Sequence, residues 1–410
     1  MERRYYAMQN ISILDKIIDN QKAEEVAKLD AVEIINNLFS ELSDREKDVL
    51  IRRYGLHGSG KETLESIGSA HKLTRERIRQ IETTSVKKLQ QLQNLDDYIN
   101  ILKKVIVQLL EEHGGLMEKE YLLNILVTFS LNGYKSEGES ELIHKNYLNF
   151  LITKLLHTEF EELINSKYFK NAYKLKYQDL DYLEELAAEL YEFMAEAKKI
   201  HATRELINFI KEFKNYQKHI EKLEIESSLD VARTLKSGLF EEQTELINNN
   251  KIIYSVLKTS KKINQNKFGH WGVHNWREIK PKTINDKIYL VLKNHGKPIH
   301  FAEIADMINK IEFDAKKANA ATVHNELILD NKYILVGRGL YGLKEWGYKS
   351  GTVAEVIEEI LNNESEPITR EEIINKVLEK RLVKKATIIL ALMNKDKFKK
   401  NEGKYYINSI

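Results

Sequence analysis

The chain has 410 residues, with 64 Lys and Arg against 62 Asp and Glu, and it contains no cysteine. The missing cysteine excludes disulfide scaffolds, Cys-ligated zinc fingers, iron–sulfur clusters and thiol nucleophiles, and it favours a reducing compartment. The length allows several modules. Because neither a signal peptide nor an apolar stretch long enough to span a membrane is present, we expect a cytoplasmic protein without a membrane partner.

The first 280 residues lack proline, which predicts a mostly helical region. Apolar residues from Val26 to Leu42 recur at helical spacing. Ser43 and Glu46 then match a capping box, in which the side chain of each residue accepts a hydrogen bond from the backbone N–H of the other. We therefore expect a second helix from here. Gly55 predicts the end of that helix.

The next segment has the order of a helix-turn-helix. Thr63 is suited to cap a short helix, a break follows at His71 and Lys72, and Thr74 is suited to cap a longer helix. A short helix, a turn and a long helix in this order predict a nucleic-acid-binding motif.

The long helix is predicted to separate an apolar face from a basic one. Residues 72–88 contain six basic and two acidic residues, a local charge of +4. On a helical wheel, one face holds Ile78, Ile81, Ser85, Leu89 and Leu92. The opposite face holds side chains that hydrogen-bond to base edges in the major groove, namely Arg75, Glu76, Arg79, Gln80 and Thr83. The alternative interpretation is a solvated, charged helix face.

Residues from about 29 to 92 resemble region 4 of bacterial primary sigma factors, the module that reads the promoter −35 element. The resemblance is closest at residues 73–82, Leu-Thr-Arg-Glu-Arg-Ile-Arg-Gln-Ile-Glu, and extends to residues 42–50, 53–56 and 63–68. It implies double-stranded promoter DNA and the RNA polymerase core as partners. It also implies base contacts by Arg75, Glu76, Arg79 and Gln80, and backbone contacts by Thr74 and Arg77.

The same resemblance assigns the apolar surface around Leu38 to Tyr54 to the polymerase flap. One departure lies in the turn, where His71 and Lys72 replace the usual Leu-Gly. If this position requires a positive φ, Lys72 costs roughly 1 kcal/mol there. We include Lys72 among the predicted DNA-binding residues. A second departure is the short segment before the match, so we do not expect this chain to open promoters on its own, as complete sigma factors do through their upstream regions.

The remaining chain repeats a pattern of helices followed by an aromatic-x-aliphatic triplet in a strand-like stretch. The triplets are Tyr173-Lys174-Leu175, Trp271-Gly272-Val273, Tyr341-Gly342-Leu343 and Tyr405-Tyr406-Ile407. A helical module closed by a two-stranded hairpin is a winged helix. We therefore predict a mainly α protein, with a helix-turn-helix at residues 1–94 and winged-helix modules at 95–180, 181–280, 281–349 and 350–410.

The third of these modules has the clearest predicted secondary structure. Its predicted elements are helices at 284–294, 301–309 and 320–329, strands at 333–336 and 340–343, and a turn at 337–339. Its residues 283–284, 291–305 and 336–343 resemble the HARE-type helix-turn-helix, a winged helix also present in the delta subunit of bacterial RNA polymerase. That resemblance indicates the fold more strongly than a ligand.

Two further features are candidates for contacts with the DNA backbone. An acid-free stretch between Leu257 and Arg277 contains Lys258, Lys261, Lys262 and Lys267, whose charge favours phosphate binding through counterion release. Arg338 lies at the predicted wing tip of the third winged helix. A solubilising loop and a solvent-facing arginine are equally good interpretations of these features.

The sequence contains no pattern typical of an enzyme, a cofactor site, a metal site or a small-molecule site. Residues 55–61 match the start of a phosphate-binding loop, but Glu62 replaces its Ser or Thr and a helix precedes it. We therefore predict a sigma-like, DNA-binding transcription initiation protein. The alternatives are a delta-like accessory polymerase subunit whose winged helices bind protein, or the recognition component of a restriction or repair system.

Overall fold

The computed structural model describes residues 29–58, 60–131, 139–156, 160–225, 228–235, 239–240, 243–349 and 351–407. It is mainly helical, and its four small antiparallel sheets have three strands each within these residues. A helix-turn-helix is followed by winged-helix modules, so the predicted fold class is confirmed. The chain divides into two compact units, Met1–Gln265 with Gly269–His274, and Asn266–Phe268 with Asn275–Ile410.

The helix-turn-helix module begins the first unit. Its helices are α1 (Ala31–Ser40), α2 (Asp44–Tyr54), α3 (Leu64–His71) and α4 (Arg75–Gln90). Asp30 caps α1 by accepting from the backbone of Val32 at 2.8 Å; the earlier part of the predicted first helix, residues 26–28, lies outside the described residues. The predicted capping box is confirmed at Glu46, which accepts from the Ser43 amide at 2.8 Å.

Two winged helices complete the first unit. The first comprises α5 (Leu95–Glu112), β1 (Leu116–Glu118), α6 (Lys119–Ser130), α7 (Glu139–Phe150) with a π-helical turn at Leu151–Leu155, β2 (Phe160–Leu163) and β3 (Ala172–Leu175). The second comprises α8 (Asp181–Ala197), β4 (His201–Ala202), α9 (Thr203–Glu212), α10 (Lys214–Lys218), α11 (Ile220–Leu223), a 3-10 turn at Ala232–Leu235, α12 (Thr244–Asn248), α13 (Lys251–Thr259), β5 (Ile263–Gln265) and β6 (His270–Val273).

The second unit contains two shorter copies of the same arrangement. The third winged helix comprises α14 (Ile284–His295), β7 (Ile299–His300), α15 (Phe301–Ile311), α16 (Ala320–Leu329), β8 (Tyr333–Gly337) and β9 (Leu340–Leu343). The fourth comprises α17 (Val353–Asn363), β10 (Ile368–Thr369), α18 (Arg370–Lys380), α19 (Lys385–Leu392), β11 (Phe398–Asn401) and β12 (Lys404–Ile407). The elements predicted for the third winged helix match these bounds within two residues.

Each aromatic-x-aliphatic triplet lies in the central strand of its sheet. In all four sheets the last strand pairs antiparallel with the first strand and with the strand before it in the chain. The aromatic residue of each triplet faces the first strand in the same register, in the pairs Tyr173–Met117, Trp271–His201, Tyr341–Ile299 and Tyr405–Ile368. The repeat found in the sequence is therefore a repeat of structure.

The predicted hairpin is present in each of the four sheets, and each sheet has in addition a third strand that the sequence did not predict. That strand lies between the first and second helices and has only two or three residues, which is too short for an alternating pattern. The second winged helix was the hardest to recognise because α10, α11, the 3-10 turn and α12 are inserted between α9 and α13.

A buried ion pair joins the two winged helices of the first unit. Lys251 Nζ at the start of α13 lies 2.6 Å from Glu112 Oε2 at the end of α5, and both side chains are buried. Glu112 also accepts from the backbone amides of Ser228 and Leu229 at 3.1 and 3.2 Å. Burial acts to raise the pKa of Glu112, but the hydrogen bonds and charge of Lys251 hold it below its usual value. Such a pair tolerates the loss of neither partner.

Next to this pair, His113 is fully buried, and its Nδ1 lies 2.7 Å from the Leu109 carbonyl oxygen. Burial lowers the pKa of His113 to about 4, from an ordinary value of 6.5. The folded protein therefore keeps this imidazole neutral where the unfolded chain protonates it. Its contribution to stability is complete above pH 6.5 and is lost as the pH falls towards 4.

We expect a change from pH 7 to pH 5 to lower the free energy of unfolding of the first unit by about 2 kcal/mol through His113. The measurement is denaturant unfolding at both pH values, for the native chain and for His113→Gln, whose amide does not titrate. The variant should lose correspondingly less stability between the two pH values. An equal loss in both proteins would contradict the assignment to His113.

Candidate nucleic-acid interface

The turn between α3 and α4 brings two backbone segments unusually close. Lys72 adopts φ 55° and ψ 40°, a left-handed conformation, so the condition under which lysine costs roughly 1 kcal/mol at this position is met. The amide of Leu73 donates to the Gly68 carbonyl at 2.9 Å. A Cβ atom on Gly68 would lie 2.7 Å from the Leu73 carbonyl oxygen. Only glycine fits at residue 68 without moving the turn, and the turn fixes where α4 begins.

The two faces of α4 are those predicted from the sequence. Thr74 caps the helix by accepting from the Arg77 amide at 3.2 Å. Ile78, Ser85 and Leu89 are buried, and Ile78 packs with Val49 and Ile67 in the core of the helix-turn-helix. The opposite face is exposed and presents Lys72, Thr74, Arg75, Glu76, Arg77, Arg79, Gln80 and Thr83.

The exposed face is ordered by side-chain pairs. Arg79 donates two hydrogen bonds to Glu76, from Nε at 2.9 Å and from Nη2 at 2.7 Å. These bonds hold the pKa of Glu76 below its usual value. Arg77 donates to the Gln80 side chain at 3.1 Å. Exposed pairs of this kind contribute little to stability, so a ligand can replace them at small cost.

Glu82 behaves differently from Glu76, because it turns inward. Its Oε1 accepts from the Tyr54 hydroxyl at 2.7 Å and lies 3.5 Å from Arg53 Nε. Burial, followed by the bond to Glu82, raises the pKa of Tyr54. One of the two acids counted in residues 72–88 is therefore directed to α2, and the exposed surface of α4 is more positive than the sequence total indicates.

The apolar surface of α1 and α2 is covered by the first winged helix. The ring of Phe150, at the end of α7, packs against Phe39 at 6.1 Å and Tyr54 at 5.0 Å between centroids. Leu38 is fully buried. Asn146 Nδ2 donates to the Gly55 carbonyl at 2.7 Å. The surface that the sequence assigned to a polymerase contact is thus an internal contact of this chain.

The far end of α4 is tied to the same winged helix. Gln90 Nε2 donates to the Lys154 carbonyl at 2.7 Å. Lys154 Nζ lies 5.5 Å above the ring of Tyr54, within cation–π range. Since α4 is anchored by the turn at its start and by Lys154 at its end, its exposed face is presented on a rigid support.

Comparison with known proteins identifies this module. The family "Sigma-70, region 4" matches residues 38–91. Residues 38–91 are a sigma-70 region 4 domain. The RNA polymerase sigma factor SigA1 of Synechococcus elongatus is 50% identical over 66 residues, 16% of this chain and 16% of that protein. The comparison with solved structures gives no significant match.

Two further relatives show the same short overlap. RNA polymerase sigma factor SigA of Lactococcus lactis subsp. cremoris is 47% identical over 57 residues, 14% of this chain and 16% of its own. RNA polymerase sigma factor RpoS of Coxiella burnetii is 33% identical over 88 residues, 21% of this chain and 25% of its own. The chain thus spans a quarter or less of each relative named here. The HARE-type resemblance of the third winged helix stays a prediction.

The other predicted DNA contacts lie in different parts of two winged helices. Lys258 is in α13, and Lys261 and Lys262 lie between α13 and β5, whereas Lys267 and Arg338 lie in the turns of the β5–β6 and β8–β9 hairpins. Lys258 is half-buried, with its Nζ 5.3 Å from the ring centroid of Tyr254, and its Nζ donates to Gln265 at 3.1 Å. Lys262 lies 3.9 Å over the ring of Tyr191. Lys261, Lys267 and Arg338 are exposed. These residues stay predictions, and Lys258 presents the least free charge among them.

Among the residues that the structure describes, no helix is long and apolar enough to cross a membrane. Within these residues, no group of three or more His, Asp or Glu side chains is placed to hold a metal ion.

Sequence reasoning missed the polar contacts that brace the region 4 domain. Asp48 accepts from Arg52 at 2.9 Å, and its Oδ2 lies 2.7 Å from His71 Nε2. Glu62, which had only excluded a phosphate-binding loop, accepts from Ser66 at 2.7 Å. The contact between Asp48 and Arg52 was predictable from their spacing, because residues four apart on a helix are neighbours. The contact with His71 spans 23 residues and had no local signal.

The close approach of Gly68 to the Leu73 carbonyl predicts whether Gly68→Ala stabilises or destabilises the domain. Helix propensity alone makes Gly68→Ala stabilising by about 1 kcal/mol. The clash with the Leu73 carbonyl should instead destabilise the region 4 domain by about 1–2 kcal/mol. Denaturant unfolding measures the change, and Ser69→Ala, at an exposed neighbour, is the matched control with an effect within about 0.5 kcal/mol. A stabilised Gly68→Ala variant would show that the turn relaxes.

Proposed function

We propose that this protein is a sigma-like, DNA-binding transcription initiation protein whose helix α4 reads a −35-type promoter element and which recruits bacterial RNA polymerase. The observation that carries the proposal is the exposed face of α4 in a sigma-70 region 4 domain. Arg75 and Arg79 are 67% and 57% exposed, and their ion pairs with Glu65 and Glu76 lie on the surface, so both guanidinium groups can exchange these partners for a major groove at small cost. Binding, rather than catalysis, is the proposed activity.

The chemistry of this face suits direct reading of base edges. Arginine pairs bidentately with the O6 and N7 atoms of guanine, and glutamine with adenine. Glu76 accepts from cytosine N4 or holds Arg79 in a fixed fork, as it does in the free protein. Thr74, Arg77 and Lys72 flank the helix start, where side chains contact phosphates and set the register of the helix on the duplex.

Recruitment of polymerase must use a surface other than the apolar one, or must displace the first winged helix. Phe39 and Tyr54 are occupied by Phe150. The exposed polar side of α1 and α2 and the later winged helices remain as candidate contacts. A relative with region 4 is named an RNA polymerase sigma factor, which supports polymerase as the partner but not the contact surface.

One observation favours the delta-like alternative, in which the winged helices bind protein. The helix α16 of the third winged helix contains no Lys or Arg, carries Glu326, and exposes Ile328 and Leu329. This surface suits a protein better than a duplex. A restriction or repair role has no comparable support in the structure.

We expect Arg75→Ala and Gln80→Ala each to weaken binding to a −35-type duplex by about 1–3 kcal/mol and to relax the preference for it over a scrambled duplex. The measurement is fluorescence anisotropy at one fixed salt concentration. Arg77→Ala should weaken binding to both duplexes equally. Arg45→Ala, on α2 and thus outside α3, the turn and α4, is the matched control and should change neither affinity.

Equal affinity of the native chain for the two duplexes would overturn promoter reading. Run-off transcription by core polymerase, with and without the chain, tests initiation itself. Co-purification with core polymerase that is unchanged in Arg75→Ala, combined with no sequence preference, would instead support the delta-like alternative.

A further inference from the structure

The fourth winged helix divides its charge between two parts of the fold. Its first two helices and the strand between them, residues 353–380, contain eight acidic and three basic residues, a net charge of −5. Residues 384–404, which contain α19 and most of the β11–β12 hairpin, have seven lysines and two acids, a net charge of +5. A polarised module of this size attracts a polyanion to one side only.

The four winged helices differ in the contacts of the helix that precedes the hairpin. In the first, α7 is covered by the region 4 domain through Asn146 and Phe150. In the second, every residue of α13 except Lys258 is buried. In the third, α16 has no Lys or Arg. Among these helices, α19 alone combines an exposed face with a basic start and no acid.

Several lysines of α19, of the residue before it and of the β11–β12 hairpin form no salt bridge with a described residue, unlike other lysines of the same module. Lys376 pairs with Glu364, and Lys397 pairs with Glu358 at 3.1 Å. The exposed lysines without such a bridge include Lys384, Lys385, Lys399 and Lys404. Their charges are therefore available to a ligand.

The hairpin places two of these lysines on one face. Lys399 pairs in register with Tyr406, and Asn401 pairs with Lys404. Because side chains alternate along a strand, Lys399, Lys404 and Tyr406 share the outer face. The inner face carries Tyr405 and Ile407, which pack on the core of the module. Tyr406 is 37% exposed between the two lysines.

We propose that α19 and the β11–β12 hairpin form a second DNA-binding surface, which holds the sugar–phosphate backbone of double-stranded DNA without reading its sequence. Lys384 and Lys385 at the start of α19, with Lys399 and Lys404 on the hairpin, contact phosphates. The outward residues of α19 are Ala386, Thr387 and Leu390. They lack the Arg, Asn and Gln that discriminate bases by hydrogen bonds.

This proposal is independent of promoter reading by α4, so its test uses DNA without a −35 element. The full-length chain is titrated with a random duplex between about 50 and 200 mM NaCl, the range over which phosphate contacts dominate the salt dependence. The variant is Lys384→Gln, Lys385→Gln, Lys399→Gln and Lys404→Gln combined. The matched control removes four exposed lysines of the third winged helix, with Lys297→Gln, Lys310→Gln, Lys316→Gln and Lys317→Gln combined.

The expected result is a salt-dependence slope shallower by about 0.9 for each phosphate that the variant no longer neutralises, and affinity for random duplex at least about tenfold weaker in the variant than in the control. Circular dichroism and thermal unfolding check that both proteins stay folded. The ratio of affinities for −35-type and scrambled duplexes should not change, because that ratio depends on α4. A change in the ratio alone, with slope and random-duplex affinity unaltered, would contradict the proposal.

Equal slopes and equal affinities in the variant and the control would also overturn the proposal. So would a variant that binds DNA like the control but no longer binds polyglutamate. That outcome would assign the lysines, with exposed Leu390, to an acidic protein partner.

Discussion

The contact on which the functional face depends is the burial of the apolar side of α1 and α2 against the first winged helix. Phe150 contacts both Phe39 and Tyr54, and Tyr54 in turn holds Glu82 of α4. The packing of one aromatic ring is therefore coupled to the orientation of the recognition helix. The same contact removes from solvent the surface through which the resemblance to sigma factors predicted polymerase binding. A region 4 domain built in this way keeps exposed the face of α4 that we propose to bind DNA.

The four winged helices show how one arrangement of strands and helices can serve different purposes. Their central strands share the same register, in which an aromatic residue faces the short first strand. The core positions are thereby constrained, whereas the outer surface of the helix that precedes the hairpin is free to change. It contacts the region 4 domain in α7, is buried in α13, exposes Ile328 in α16 and is flanked by lysines in α19. Fold similarity among the copies therefore does not imply a common ligand.

Features set by a few neighbouring residues were predictable from the sequence. The caps at Thr63 and Thr74, the end of α2 at Gly55 and the buried side of α4 at Ile78 all follow from local sterics and helical periodicity. They need no information about distant parts of the chain, and the structure confirms each of them.

Features made by distant residues were not predictable in this way. Phe150 lies far beyond Phe39 in the chain, and nothing in either local pattern names the other as its partner. The strand Ile299–His300 is too short to have a period. Glu82 was counted as a surface charge because its partners, Arg53 and Tyr54, are brought to it only by folding. For the candidate interface, the sequence thus located the helix and its exposed residues but missed its supports.

The charge of single segments says more about possible ligands than the net charge of the whole chain does. The net charge of +2 for the whole chain does not point to a polyanionic partner. Residues 384–404 alone carry +5, however, and the acidic residues in 353–380 offset this charge in the total. If α4 reads bases while the surface at Lys399 and Lys404 holds phosphates, the two surfaces contribute differently. Phosphate contacts raise affinity for every sequence equally, so they prolong residence on DNA without improving the ratio of specific to non-specific binding. Selectivity then depends on the few exposed side chains of α4, and the winged helices determine how long the protein stays near DNA and with which partner.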